Sequence, residues 1–119
     1  MNWFDSHCHL KGFKNKGNLE EILRRAEENG VSRMTAVGTS NDDWEIYKNL
    51  SEQYRDKIFY SVGLHPCYVN EGYEIVIEKI ETYLGSGSPP VALGEIGLDY
   101  FHLPKNHNEA LSIIKNQKI

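Results

Sequence analysis

Apolar residues follow two patterns in this chain: short continuous runs, and repeats at helical spacing. The short runs predict four buried β-strands, at Trp3–Ser6, Val31–Gly38, Ile58–Val62 and Val91–Gly94. Between these runs the apolar residues recur every three or four positions, most clearly in the series Tyr73, Val76, Ile77, Ile80, Tyr83 and Leu84. Regular alternation of strands and helices predicts an α/β fold with a parallel sheet covered by helices.

Capping residues and glycines divide these patterns into four successive βα units. Helix starts are predicted at Asn18, at Ser40 or Asn41, and near Asn106 or Asn108. Two stretches rich in turn residues are predicted to be loops, Lys11–Gly17 and 85–90. We expect a single domain over residues 1–119, because a chain of this length holds only one.

Composition and charge narrow the class of protein. The formal net charge is −4, so the chain has no overall basic footprint that would attract nucleic acid over long range. A bound divalent cation would still attract phosphate locally. The two cysteines, Cys8 and Cys67, do not form a disulfide scaffold and predict reduced thiols in a cytoplasmic protein. No signal peptide and no apolar run long enough for a membrane helix is visible, so we expect no membrane partner.

Histidines and a glutamate lie where the predicted strands end. His7 and His9 follow the first strand, and residues i and i+2 of a strand point to the same face. Imidazole is a good ligand for zinc and similar ions, although histidine pairs of this kind are more often simply hydrogen-bonded. Glu95 follows the fourth strand. The C-terminal ends of parallel strands carry the active sites of α/β proteins, which favours a metal site built from these three residues.

Glu95 and His65 each allow two interpretations. Glu95 lies between glycine and apolar neighbours, which predicts a poorly solvated carboxylate that needs a compensating cation. It would otherwise cap a loop or pair with a basic side chain. His65 precedes Pro66 and is either a turn histidine bonded to the backbone or a donor to a phosphate at the metal site.

Other polar and aromatic residues near the strand ends have both structural and functional interpretations. Asp5 and Asp99 would either orient a metal-bound histidine or cap turns. Cys8 points away from its histidine neighbours in a regular strand and is interpreted as a core residue. His102 and His107 are expected to be exposed to solvent, and three aromatic residues would either stack on a nucleic-acid base or cover the core: Tyr68, Tyr100 and Phe101.

Three motifs together resemble the TatD family of metal-dependent deoxyribonucleases: residues 5–9 (DSHCH), residues 62–66 (VGLHP) and residues 94–100 (GEIGLDY). The resemblance implies a TIM-type (β/α)8 barrel with one or two divalent metal ions, which would be Zn, Mn or Mg. It also implies hydrolysis of phosphodiester bonds in DNA, often in the 3′-5′ exonuclease direction. His7 and His9 match metal ligands of the family, Glu95 a metal-bridging glutamate, and His65 a histidine close to the substrate phosphate. The expected catalytic residues are therefore Glu95 and His65.

The chain departs from the family pattern in its length. A TIM-type barrel typically takes about 250 residues, and this chain supplies about four βα units, which suggests a truncated product or a fragment. Residues 113–119 carry no signal that ends a helix, and the family's later ligands have no match here. The alternative to an active hydrolase is therefore a non-catalytic remnant that binds metal or a partner, or an unstable product. An exposed half-barrel surface further predicts a homo-oligomer.

Overall fold

A computed structural model describes residues 1–118 and contains one parallel sheet with helices packed against it. The strands are β1 (Trp3–Cys8), β2 (Val31–Val37), β3 (Ile58–Val62) and β4 (Ala92–Leu93), and they pair in the order β1-β2-β3-β4. The helices are α1 (Lys11–Lys16), α2 (Leu19–Glu28), α3 (Asn41–Gln53), α4 (Tyr73–Leu84) and α5 (His107–Gln117). A short 3-10 turn, Pro66–Tyr68, follows β3. The parallel α/β fold of four βα units is confirmed. The expected absence of a helix end in residues 113–119 is wrong for the described residues, because α5 ends at Gln117 with Lys118 as its C-cap; Ile119 lies outside the described range.

Two elements differ from the prediction. The edge strand β4 has two residues instead of the four predicted at Val91–Gly94, and the predicted loop after β1 is largely helical. Lys11–Lys16 forms helix α1, although Gly12 lies inside it. The reason is a contact from distant sequence: the Tyr47 hydroxyl accepts hydrogen bonds from the backbone N–H groups of Leu10 and Lys11 and so satisfies the start of the helix. Gly17 ends α1 with a left-handed backbone (φ 76°).

The core lies between the sheet and helix α3. Its largest fully buried side chains come from α3 and β3: Trp44, Tyr47, Leu50, Ile58, Tyr60 and Val62. The Trp44 indole Nε1 donates to the Gly63 carbonyl oxygen at 3.2 Å, which fastens α3 to the chain just beyond β3. This packing fixes the position of the strand ends that carry the candidate site.

The start of α3 is held by a reciprocal cap. Of the two predicted caps, Ser40 and Asn41, Ser40 is the N-cap residue, and the Asp43 carboxylate accepts hydrogen bonds from the backbone N–H groups of Thr39 and Ser40. Asp43 is buried and also accepts the Thr39 hydroxyl at 2.7 Å. The Thr39 carbonyl in turn accepts the His65 N–H at 2.7 Å, so the chain beyond β2 is tied to the chain beyond β3.

Strand β1 contains an irregularity that decides where its side chains point. Asp5 pairs with Met34 and Cys8 pairs with Ala36, so three steps along β1 face two steps along β2. Phe4 stacks on Phe59, whereas Cys8 packs against the helix-covered core. In a regular strand Phe4 and Cys8 would share a face. The extra residue therefore rotates the end of β1, so that Cys8 faces the core.

The helices of residues 1–118 are all too short, too polar, or both, to cross a lipid bilayer.

Candidate metal centre

The three predicted ligands converge at the C-terminal edge of the sheet. His7 Nε2 lies 3.2 Å from Glu95 Oε1 and 3.3 Å from His9 Nε2. His9 Nε2 lies 3.9 Å from Glu95 Oε2. The two imidazole rings meet edge to face, with ring centroids 5.1 Å apart. The end of β1 and the residue after it therefore supply two nitrogen atoms, and the chain beyond β4 supplies a carboxylate, all directed at one point.

The hydrogen-bond partner of the second ring nitrogen sets the tautomer of His9. Nδ1 lies 3.1 Å from the Val37 carbonyl oxygen, which can only accept a hydrogen bond. Nδ1 therefore carries the proton, and Nε2 presents a lone pair to the centre of the cluster. Because Val37 ends β2, the neighbouring strand orients the imidazole in the way that second partners of metal-bound histidines usually do.

Backbone geometry directs Glu95 toward the histidines. Glu95 has a left-handed backbone, with φ 51°, which is uncommon for a residue other than glycine. The preceding Gly94 carbonyl lies so close to Gly63 that a Cβ atom built on Gly63 would be 1.5 Å from that oxygen. Only glycine fits at position 63, and its close approach sets where the chain leaves β4.

The site is more open than the sequence suggested. The Glu95 side chain is 22% exposed, whereas the His7 and His9 side chains are about half exposed. The apolar neighbour Ile96 was expected to help exclude water, but it is 64% exposed itself. That expectation was wrong for Ile96 because β4 is an edge strand and nothing among residues 1–118 covers its far side.

His65 serves as a turn residue and keeps one ring nitrogen free for another role. The backbone N–H of Cys67 donates to His65 Nδ1 at 3.1 Å, which caps the 3-10 turn. Nδ1 is therefore an acceptor, so a neutral His65 ring carries its proton on Nε2, the opposite tautomer from His9. Within residues 1–118, no hydrogen bond or ion pair joins His65 to His7, His9 or Glu95.

The structural interpretation holds for both aspartates. Asp5 Oδ1 accepts the His7 N–H at 3.0 Å, and Asp99 Oδ1 accepts the N–H groups of Phe101 and His102. The pKa of Asp99 is held well below its usual range, chiefly by its hydrogen bond with the His102 ring, so its carboxylate is charged.

Cys8 behaves as the predicted core residue. Its thiol donates to the Thr35 carbonyl oxygen, and burial raises the pKa of Cys8 to about 12. The three aromatic residues do not cover the core, because Tyr68, Tyr100 and Phe101 are each about half exposed or more. Stacking of a base on them stays a prediction.

One residue with an organising role carried no signal in the sequence. The Gln117 side-chain amide donates to the carbonyl oxygens of Pro66 and Asp99, and its Oε1 accepts the Asp99 N–H. Gln117 thus clamps the turn after β3 to the loop after β4. From the sequence alone, a polar residue on an amphipathic helix is expected to face solvent. The backbone groups of Pro66 and Asp99 become its partners only in the folded chain.

The donor set fits a divalent cation. Two imidazole nitrogens and one carboxylate lie within 4.8 Å of one another. His9 directs a lone pair and Glu95 directs its oxygens at the same point, an arrangement that needs a shared proton or a cation between them. Imidazole ligands suit zinc, whereas magnesium and manganese prefer oxygen ligands such as the Glu95 carboxylate.

Comparison with known proteins gives the same family for nearly the whole chain. Residues 4–117 match the family model described as TatD related DNase. The chain is 33% identical over 104 residues to an uncharacterized metal-dependent hydrolase, YcfH, of Escherichia coli K12, covering 85% of this chain and 38% of that protein. It is 29% identical over 112 residues to a protein named 3′-5′ ssDNA/RNA exonuclease TatD from Pectobacterium carotovorum, covering 92% of this chain and 43% of that protein.

A solved structure shows the same architecture. The crystal structure of YjjV, a TatD homolog from Escherichia coli K12, superposes with a TM-score of 0.75 at 25% identity, covering 97% of this chain and 44% of that one. The four βα units are therefore part of a TIM-type barrel fold, as predicted. The chain spans about two fifths of the length of the curated relatives it matches.

Proposed function

We propose that this chain, which belongs to the family of TatD related DNases, supplies His7, His9 and Glu95 to a divalent metal centre that hydrolyses phosphodiester bonds. The observation that carries the proposal is the convergence of these side chains from two strand ends that are distant in sequence. A divalent ion at such a centre polarises a phosphoryl oxygen and makes water a better nucleophile near neutral pH. One ion, or two sharing Glu95, is compatible with the donor set.

The chain's own residues have distinct parts in this proposal. His9 is held with its lone pair directed at the centre by Val37, and Glu95 contributes the negative charge that keeps a cation in place. His65 presents an Nε2–H donor, because its Nδ1 accepts from the Cys67 backbone. A neutral donor of this kind would hold a non-bridging phosphate oxygen without changing the charge of the site.

DNA is the substrate we propose, with trimming from the 3′ end. The name of the Pectobacterium relative as a 3′-5′ ssDNA/RNA exonuclease supports a single-stranded nucleic acid. Tyr68 packs against the His65 ring, at a centroid distance of 5.5 Å, and is 53% exposed, so it offers an aromatic face beside the proposed phosphate donor. Stacking on such faces is the usual way in which single strands bind without sequence preference.

A second candidate is a non-catalytic protein that binds metal or a partner. The observation in its favour is the openness of the centre, since His7 and His9 remain about half exposed and one side of the cluster has no protein ligand among residues 1–118. Metal binding and turnover must therefore be measured separately.

The test combines metal content with a nuclease assay on the same preparations. Metal per chain is measured by mass spectrometry on the wild type, a His7→Ala/His9→Ala variant and Glu95→Gln, after loading with Zn²⁺ or Mn²⁺. Release of nucleotides from 3′-labelled and 5′-labelled single-stranded DNA is then followed. His107→Ala is the matched control, because His107 is an exposed histidine at the start of α5.

We expect the double variant to lose the bound ion and any activity, and His107→Ala to keep both. Glu95→Gln should lower activity by at least about 100-fold while retaining part of the metal. Metal bound by the wild type without any turnover would favour the non-catalytic candidate. Metal content unchanged by loss of both histidines would overturn the site altogether.

A further inference from the structure

A second cluster of possible metal ligands lies on the loops after β3 and β4. It comprises the Cys67 thiol, the Asp99 carboxylate and the His102 imidazole, whose ligand atoms all lie within 4.8 Å of one another. Cys67 belongs to the 3-10 turn, and the other two residues follow β4, so residues more than thirty positions apart meet here. None of the three belongs to the His7, His9 and Glu95 centre.

The meeting of these loops is built into the fold. Gln117, the last residue of α5, bonds to the Pro66 carbonyl at 2.9 Å and to both backbone polar groups of Asp99, at 2.9 and 3.0 Å. One side chain therefore holds the residue before Cys67 and the backbone of Asp99 in a fixed relation. The cluster does not depend on two mobile side chains meeting by chance on the surface.

The side chains of the cluster are already directed at one another. Asp99 Oδ2 lies 2.9 Å from His102 Nδ1, and the Cys67 thiol donates to the His102 carbonyl oxygen at 3.1 Å. Asp99 Oδ1 is occupied by the N–H groups of Phe101 and His102, which fixes the carboxylate plane. An oriented carboxylate, an imidazole and a thiol are thus preorganised.

We propose that Cys67, Asp99 and His102 bind a thiophilic divalent cation of the zinc type. Sulfur, nitrogen and oxygen donors together suit zinc, whereas magnesium and calcium take oxygen ligands. Tetrahedral zinc with ordinary bond lengths separates its ligand atoms by roughly 3.3–3.6 Å, so Asp99 Oδ2 and His102 Nδ1, now 2.9 Å apart, have to separate slightly to admit the ion. The exposed His102 ring and the Cys67 thiol can rotate to make this room without moving the backbone that Gln117 holds.

Binding changes the protonation of the cluster in a defined way. The Cys67 thiol loses its proton to solvent and its hydrogen bond to the His102 carbonyl. The cation also replaces the proton between His102 Nδ1 and Asp99 Oδ2, which leaves the neutral His102 ring with its proton on Nε2. A nucleophilic role for Cys67 is disfavoured, because its thiol donates to a backbone carbonyl rather than to the His102 ring that would have to act as base. Three protein ligands leave one position open to water or to a ligand atom from a partner.

Cobalt is the probe of choice, because a cobalt–thiolate bond produces a charge-transfer band in the near ultraviolet that imidazole and carboxylate ligands do not produce. The full chain is titrated with Co²⁺ under reducing conditions free of thiols. The wild type is compared with Cys67→Ser, with His102→Ala, and with the His7→Ala/His9→Ala variant. Cys8→Ser is the matched control, because Cys8 is the other free cysteine and faces the core. Circular dichroism checks that each variant is folded.

The band should saturate in the wild type, persist in Cys8→Ser and in the double histidine variant, and disappear in Cys67→Ser. His102→Ala should weaken cobalt binding by at least about 10-fold. Persistence in the double variant separates this site from the proposed catalytic centre. No band in the folded wild type at saturating Co²⁺, or a band that survives Cys67→Ser, would overturn the proposal.

Discussion

At the scale of single residues, the absence of a side chain at Gly63 sets the position of Glu95 in the candidate metal centre. A Cβ atom at this position would lie 1.5 Å from the Gly94 carbonyl, and that peptide immediately precedes Glu95. No rotamer relieves a clash between a Cβ atom and a backbone oxygen, so β3 and the chain beyond β4 would have to separate.

We expect Gly63→Ala to lower the free energy of unfolding by about 2–3 kcal/mol or more, and to lower metal content as well. Gly12→Ala is the matched control. Gly12 lies within α1 with nothing within 4 Å of a built Cβ, so alanine there should raise stability by up to about 1 kcal/mol. Denaturant unfolding measures both changes, and equal stabilities of the two variants would contradict the close approach.

The two thiols should differ strongly in their reactivity. Burial, with a smaller contribution from the Asp5 charge, raises the pKa of Cys8 from an ordinary value of 9.0 to about 12, so the reactive thiolate of Cys8 is about 1,000-fold scarcer at neutral pH. The pKa of Cys67 is also raised by burial and by Asp99. Cys67 lies in the surface turn after β3.

In the metal-free protein, Cys8 left alone by Cys67→Ser should react with a thiol reagent far more slowly than Cys67 left alone by Cys8→Ser. The rate of Cys8 modification should rise about tenfold for each pH unit between pH 7 and 10, because this range lies below its pKa. Equal rates for the two single-cysteine proteins would show that Cys8 is not buried as described.

Residue types and their positions at strand ends predicted which side chains could meet, but not how they are oriented. His7, His9 and Glu95 were identifiable from the sequence because the ends of parallel strands share one edge of the sheet. The opposite tautomers of His9 and His65 depend on the Val37 carbonyl and the Cys67 N–H. Nearly every residue carries such backbone groups, so residue types do not reveal which of them will be the partner. The clamp by Gln117 escaped prediction for the same reason.

Among the elements, helix α3 connects the core to the candidate site through its start. The Asp43 carboxylate satisfies the N–H groups of Thr39 and Ser40, and the Thr39 carbonyl holds the His65 N–H. Loss of this cap would release both the first turn of the helix and the segment that follows β2.

Asp43→Ala should therefore cost about 2 kcal/mol of stability, because it removes the cap and leaves two half-buried N–H groups without partners. Asp42→Ala provides the control. Asp42 is the adjacent, exposed aspartate in the same turn, and its loss should cost less than about 1 kcal/mol through the helix dipole alone. Thermal unfolding of both variants tests the difference, and comparable losses would mean that charge rather than capping stabilises α3.

The periodicity of apolar residues predicted nearly every helix and strand. It failed where contacts between residues distant in sequence determine the secondary structure. The segment that forms helix α1 was predicted to be a loop because of Gly12 and Gly17, but the Tyr47 hydroxyl lies 36 and 37 residues away in sequence from the N–H groups that it caps. Strand β4 was predicted from its apolar residues at about twice its length, because propensity does not report that an edge strand has only one neighbour to pair with.

At the level of the whole molecule, the chain is more open than a compact monomer of its size. Its accessible surface is 7795 Å², whereas a compact protein of 13.7 kDa exposes about 6,600 Å². Its radius of gyration is 15.8 Å, against about 13.5 Å for a compact domain of this length. The additional surface includes a groove between β4 and α4 with exposed apolar side chains from Ile77, Leu93 and Ile96.

We expect this surface to be covered by a second copy of the chain in solution. The additional area, about 1,200 Å² on each chain, would give about 2,400 Å² for a pair, which is in the range that obligate dimers bury. Light scattering should give at least twice 13.7 kDa for the wild type. Ile96→Asp should shift the mass toward the monomer, and Ile75→Asp should not, although both isoleucines are 64% exposed. A monodisperse wild-type monomer would contradict the expected association.

The extra residue in β1 has a consequence for insertions and deletions in this strand. Three steps of β1 between Asp5 and Cys8 face two steps of β2, so removal of Ser6 would give each residue of this segment one partner. Phe4, His7, Cys8 and His9 would then keep their present faces in a regular ladder. An added residue would enlarge the irregularity or turn both histidines toward the helices. We therefore expect length variation at Ser6 to be tolerated in one direction only, with the shorter strand keeping the metal ligands in place.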